Sequence, residues 1–215
     1  MHLSNFHGGF VLTQLYVMIS LPIFAAFKVK DTKKEFLKNV NIIIWTTTPW
    51  TIPANKALAF NKNLDYSLIE INELDYFKDK KIIIATNLIE SVIKSCEIKD
   101  HKILKTFKGS ELNGTICSHP FLDMKFEYDV PMLEADFVDL EQGTGIVHCA
   151  PSHGPDDFSL CLKNNIKSSY TVDSAGLYTK EIPYFSKTHI FKADLLVIEK
   201  LKEQKKLLSN GELIH

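Results

Sequence analysis

No charge of one sign dominates this sequence: Lys+Arg number 25 and Asp+Glu 26, for a formal net charge of -1. That balance excludes the broad positive field of a free-standing nucleic-acid binder, so any RNA it handles must be gripped mainly by something else. Two local clusters, Lys78, Lys80 and Lys81 and then Lys200, Lys202, Lys205 and Lys206, read either as phosphate contacts or as ordinary solvated faces. Internal repeats and low-complexity tracts are absent, which removes fibres and disordered tails. Cysteine is scarce and scattered. Cys96, Cys117, Cys149 and Cys161 form no C-x-x-C pair, so they read as small core residues in a reduced, cytoplasmic setting and not as a disulfide framework. A clean membrane span is missing too. The apolar stretch Phe10 to Phe27 contains Thr13, Gln14, Ser20 and Pro22, and no Lys or Arg precedes Lys28. It therefore has neither the composition of a span nor the charged start of a signal peptide, and no membrane partner is expected.

At 215 residues, with 45% hydrophobic and 24% charged side chains, the chain suffices for one domain with its own core and is short for two. Residues 20–215 are expected to form that domain, and residues 1–19 read as a leader or an appended stretch. Short segments rich in Ile, Val, Phe and Tyr, bounded by Pro, Gly, Asn or Asp, are expected as strands. They are Ile42–Trp45, Ala57–Phe60, Tyr66–Ile71, Lys81–Ala85, Ile103–Phe107, Thr115–Cys117, Phe126–Val130 and Gly145–His148. Helical signals are fewer. Thr32-x-x-Glu35 and Asn87-x-x-Glu90 have capping-box spacing, the second followed by Leu88, Ile89, Val92, Ile93 and Cys96 on one face. Pro155, Asp156 and Asp157 mark a helix start. A last helix is expected from Ala193 to Leu208, striped by Leu195, Ile198 and Leu201, with a stop at Asn210-Gly211. The sum is an α+β fold with a β-barrel core and peripheral helices.

Two stretches carry chemistry. The first runs from Trp45 through Thr46, Thr47, Thr48, Pro49 and Trp50 to Asn55, directly after the strand Ile42–Ile44. Pro49 has no amide donor and biases Thr48 toward an extended conformation, so the segment must peel away from the sheet. Hydroxyls on that bend are free to hold a water or a sugar hydroxyl, unless they are ordinary strand threonines. The second stretch, Gly143 to Phe158, delivers His148 on a strand, turns through a Gly/Pro loop and opens a helix with Asp156 and Asp157. His148, His153 and Asp157 are also candidate metal ligands, which keeps a metal-dependent hydrolase as a rival, although no H-E-x-x-H or other zinc spacing occurs. A cysteine hydrolase using Cys149 and His148 is disfavoured, because strand neighbours point to opposite faces.

WTTTPWT with its following PAN, and GTGIVHCAPSHGPDDF, together closely resemble the two signature blocks of the editing domain inserted in isoleucyl-tRNA synthetases, within the valine, leucine and isoleucine editing-domain family. The likeness extends from about Ser20 to His215 and takes in GSELNGTICSHPF (109–121) and VDSAGLY (172–178). Valine and leucine enzymes of the group usually carry arginine where Thr48 stands, which favours the isoleucine branch. Cys149 stands where threonine is common in the family, and Ser152 where glycine often is. Neither H-I-G-H nor K-M-S-K-S occurs, so ATP-driven activation of isoleucine is not expected from this chain alone. It is expected to run from where the family's insertion leaves the catalytic domain to where it re-enters.

The resemblance implies hydrolysis of valine wrongly esterified to the isoleucine tRNA. Such proofreading is needed because one methylene in an apolar pocket is worth only about 1–3 kcal/mol, isoleucine against valine being the standing example of that limit. It further implies that Asp157, at its helix start, holds the α-ammonium, its ionised form favoured by the helix dipole. His148, counted with Asp157 in the catalytic set, is implied to sit beside the small side chain and exclude isoleucine, with orientation of the ester by its ring as a second possibility. Thr46, Thr47, Thr48 and Asn55 position the terminal adenosine and the attacking water, Thr47 among the catalytic set, and Trp50 is a further contact for the tRNA 3' end. An aminoacyl ester is already activated, so a placed water suffices. Neither a metal, a cofactor nor a covalent intermediate is expected. The implied partners are the 3' end of valyl-tRNA(Ile) and the parent synthetase's catalytic domain. A free-standing trans-editing factor or a non-catalytic tRNA-binding module is the alternative, distinguished by whether the reading frame continues past His215 into a nucleotide-binding fold.

Overall fold

A computed structural model of the chain describes residues 19–211, 213 and 214. The leader expected at residues 1–19 lies outside them except for Ile19, as does the start of the apolar stretch at Phe10. Strands come in the order β1 (Ile19–Ser20), β2 (Ile23–Asp31), β3 (Asn41–Thr46), β4 (Ala57–Phe60), β5 (Asp65–Ile71) and β6 (Lys81–Ala85). After helix α1 (Ile89–Ser95) follow β7 (His101–Lys108), β8 (Ile116–Ser118), β9 (Asp129–Glu134) and β10 (Ile146–Cys149). Helices α2 (Pro155–Lys163) and α3 (Ile190–Glu203) then precede β11 (Leu207–Asn210) and β12 (Leu213–Ile214).

Burial explains the sequence pattern. Ile42, Ile43 and Ile44 of β3, and Ile82, Ile83 and Ile84 of β6, are all fully buried. A strand covered on both faces reads as a continuous apolar run, not an alternating one. The same holds for Ile23–Phe27, the end of the apolar stretch, which forms the first half of β2 between β3 and β11. No helix among the described residues is long and apolar enough to cross a membrane.

Ten strands form one mixed sheet in the order β10-β4-β9-β8-β2-β3-β6-β5-β7, with β11 also paired to β2. The α+β class is as expected, but the barrel is not closed. The sheet curls until β10 packs against β3, yet no ladder joins them. The seam is bridged by single bonds such as Ala85 N–H to the Thr144 carbonyl, at 2.8 Å. Gly145, at φ +70°, makes that approach possible, since a Cβ there would lie 2.4 Å from the Ala85 Cβ.

Several local expectations need correction. Neither capping box forms. Thr32 Oγ1 accepts from Lys34 N–H in a tight turn, and α1 follows a 3-10 turn at Thr86–Leu88 with no side-chain cap. The strand expected at Phe126–Val130 is shifted to Asp129–Glu134, because Phe126 is needed in an aromatic cluster with His119 and Phe121. The last helix starts at Ile190, where His189 Nδ1 accepts from Phe191 N–H, and ends at Glu203. Its buried stripe is Ala193, Val197, Ile198 and Leu201, whereas Leu195 points outward. Residues 207–210 leave the helix because their amides are claimed by the free edge of β2.

The two lysine clusters meet in space. Phe77 pairs with Lys206, Lys202 lies over the Tyr76 ring, and Asp79 faces both Lys28 and Lys206. Asp79 also accepts from Asn41 Nδ2, which places this patch at the opposite end of β3 from Thr46.

Candidate functional site

Thr46 is the last residue of β3 to pair with β2, opposite Ile23. Beyond it Pro49–Ala54 winds as a 3-10 turn with proline at its start, where the missing N–H costs nothing. Thr46 Oγ1 accepts from Thr48 N–H at 3.1 Å and sits 3.2 Å from Thr48 Oγ1. Thr46 is buried, Thr47 half-buried and Thr48 exposed, so the three hydroxyls are graded from the wall outward. Thr46 still belongs to β3, whereas Thr47 and Thr48 lie beyond the strand, on the bend.

β10 carries His148 alongside β4, opposite Leu58. Its ring is almost fully enclosed, and hydrogen-bond accounting fixes its tautomer. Thr51 Oγ1 donates its only proton to the Thr48 carbonyl at 2.8 Å, so toward His148 Nε2, 2.8 Å away, it must accept. Asn55 Nδ2 donates to the Ala57 carbonyl at 2.9 Å, and its second proton goes to His148 Nδ1 at 3.1 Å. The imidazole is therefore neutral, protonated on Nε2, with both nitrogens engaged. Burial, helped by His153, pushes its pKa down to about 4, which agrees. His148 thus lines the cavity with a ring whose two nitrogens are both hydrogen-bonded. It cannot ligate a metal without breaking one of these bonds, and His153 Nε2 is itself 2.9 Å from Thr171 Oγ1.

The next residue faces the other way. Cys149 packs with Ala57, Ala59, Leu160 and Cys161, a small second core that seats α2 behind β10. Burial holds its thiol well above the ordinary range, as expected of an inert core cysteine. Asp157 is in the first turn of α2, and its Oδ2 turns back to accept from Ala150 N–H at 2.8 Å. Gly154 leaves room for this, since a Cβ there would lie 3.2 Å from the Asp157 Cγ. Burial raises the carboxyl above its ordinary value, the Ala150 bond opposes that, and Asp156 adds to the rise.

Thr46, Thr47, Thr48, His148 and Asp157 all line one cavity of about 400 Å³ at the seam between β3 and β10. That volume lies in the range of small-molecule sites. Two expected contacts do not line it. Asn55 lies behind His148 and holds its ring. Trp50 packs edge-on against His153, with ring centroids 4.8 Å apart. Sequence reasoning missed Thr51, although it follows Thr48 by three residues, one turn of a 3-10 helix that begins at proline. It also missed Phe137 and Gln142, which complete the walls from a loop with no motif of its own. Trp45 lines the cavity as well.

A curled mixed sheet whose seam cavity is walled by the carboxylates of Asp139 and Asp157, the imidazoles of His148 and His153 and a row of hydroxyls defines a domain with one polar cavity of small-molecule size. Comparison makes this specific. The family model described as the leucyl-tRNA synthetase editing domain matches residues 24–209, and the chain belongs to this editing-domain family of class I aminoacyl-tRNA synthetases. It is 65% identical over 193 residues to the isoleucine--tRNA ligase of Pelagibacter ubique, covering 90% of this chain and 21% of that protein. It thus spans about a fifth of the length of the curated relatives it matches. Among solved structures, GlLeuRS-CP1 shares the fold with a TM-score of 0.69 at 12% identity, covering 88% of this chain and 99% of that one. The cytosolic leucyl-tRNA synthetase editing domain of P. falciparum aligns with a TM-score of 0.64 at 14% identity, over 89% and 98%.

Proposed function

We propose that this chain is the post-transfer editing domain of an isoleucyl-tRNA synthetase, hydrolysing the ester of valyl-tRNA(Ile) in the cytoplasm. One observation carries the reading: the threonine bend and the α2 carboxylate, Thr47 and Asp157 being 110 residues apart, wall the same cavity. Asp157 keeps one oxygen on Ala150 and offers the other to the α-ammonium of the misattached amino acid, a charge-assisted pairing. The His148 ring, tied at both nitrogens, cannot swing aside, so an extra methylene meets a fixed wall.

Thr47 and Thr48 place the attacking water and the terminal ribose. Water adds to the ester carbonyl and the acyl–oxygen bond breaks. The ribose oxygen leaves with a proton, and free valine departs. Because His148 is neutral and fully bonded, the step rests on positioning more than on a protein base. The near-zero net charge leaves most phosphate contacts to the catalytic domain of the parent synthetase.

The test is a deacylation assay on valyl and isoleucyl esters of the same tRNA, run with and without a chelator. Release of valine, sparing of isoleucine and indifference to the chelator are expected. Equal hydrolysis of both esters, or loss of activity on chelation, would overturn the reading.

A further inference from the structure

The 172–178 stretch and α3 lie outside the cavity, yet they reach the threonine bend from far along the chain. Asp194, in the first half of α3, accepts from Trp50 N–H through Oδ1 at 2.8 Å. Tyr178 donates its hydroxyl to the Trp50 carbonyl. Both polar groups of Trp50's backbone are thus held by side chains 144 and 128 residues away. Asp194 is half-buried and Tyr178 almost wholly buried, so neither bond is a solvated surface contact. Tyr178 is itself fixed, its N–H donating to the Thr188 carbonyl at 2.9 Å and its carbonyl accepting from Lys187 N–H at 2.8 Å.

The held group is one peptide bond from the site. The Trp50 carbonyl shares its peptide plane with the nitrogen of Thr51, and Thr51 Oγ1 is the acceptor that fixes His148 Nε2–H. We infer that Asp194 and Tyr178 are positioning residues: by clamping the Trp50 backbone from both sides they set Thr51, and through Thr51 the tautomer and orientation of the His148 wall. Neither residue touches the cavity. The inference rests on the editing function proposed above only for its consequence for selectivity.

Asp194→Leu removes the acceptor, whereas Asp194→Asn keeps an oxygen in place and serves as the conservative rescue. Tyr178→Phe removes a single hydroxyl and decides the matter should Asp194→Leu fail to fold. Long-range proton–nitrogen spectra of 15N-histidine protein read the His148 tautomer without reference to activity. In wild type and Asp194→Asn they are expected to show Nε2–H alone. In Asp194→Leu and Tyr178→Phe, mixed tautomers are expected. Discrimination between valyl and isoleucyl esters should fall at least tenfold in those two variants, through faster release of isoleucine with KM for the valyl ester little changed. A single Nε2–H tautomer with discrimination within twofold of wild type in the folded variants would overturn the clamp. If wild-type protein releases no amino acid at all, it is the proposed function that fails, and the nitrogen spectra alone decide the clamp.

Discussion

The two faces of β10 differ as sharply as neighbouring residues can. On one, His148 sits over a hollow, and each of its ring nitrogens is accounted for by Thr51 or Asn55. On the other, Cys149 is fully buried in a small apolar cluster with Ala57 and Ala59, pressed against Leu160 and Cys161 of α2. The first face is polar and keeps its shape by hydrogen bonds. The second is apolar and keeps its shape by packing density. The contrast teaches that one step along β10 takes the chain from a cavity wall at His148 to a packed core at Cys149.

The largest break in that contrast comes from Asp157, which belongs to both faces: its helix is seated by the apolar cluster and its carboxylate serves the hollow. Asp157→Asn keeps an acceptor for Ala150 N–H but removes the charge, so the fold should survive. Loss of a half-buried charge pair costs about 2–5 kcal/mol, and release of valine in single-turnover assays is expected to fall about 30-fold or more. Undiminished release would remove Asp157 from the mechanism. Next in size is His148→Ala, which removes the wall; hydrolysis of correct isoleucyl-tRNA should begin, narrowing the valine preference about tenfold or more. If that ester is still spared, the gate lies elsewhere.

On the reverse face the expected effect is on stability alone. Ala59 is fully buried in the Cys149 cluster, and Ala59→Leu overpacks it at a cost of about 1–3 kcal/mol. Chemical denaturation should register that loss while ester selectivity stays as in wild type; a changed selectivity would show the two faces to be coupled. The mildest effect is on acid stability. Burial pushes His148 down to about 4 and His119 to about 3. Both are neutral when folded, and the unfolded chain binds protons below about pH 6.5, so their contribution is complete above pH 6.5 and drains away as pH falls toward 4. Melting temperatures measured from pH 7.5 to 4.5 should drop across that interval, and less so for His148→Gln. A flat profile would mean that the histidines are not held neutral.

Much of this arrangement was legible in the residues. The bend at Thr46–Thr48 follows from Pro49, the opposite pointing of His148 and Cys149 from strand geometry, and the α2 start from Pro155 and its acids. Less legible were elements whose local signals were outbid. Leu207 and Leu208, expected at the end of the last helix, became strand instead, because the edge of β2 pairs with this segment. Leu195 fitted the stripe by spacing alone, and Phe126 looked like strand until the aromatic cluster around His119 claimed it.

By itself, then, the sequence determined the local chemistry: where the backbone must bend, which hydroxyls and carboxylates are presented, and which family the two blocks resemble. Only the tertiary structure decided who meets whom. The reach of Asp157 back to Ala150, the capture of His148 by Thr51 and Asn55, and the hold of Asp194 and Tyr178 on Trp50 all join segments or fix protons that no local pattern specifies. The physical reason is that a buried polar group must find a partner wherever the folded chain places one. The neutrality of His148 likewise depends on burial, which is a property of everything packed around it.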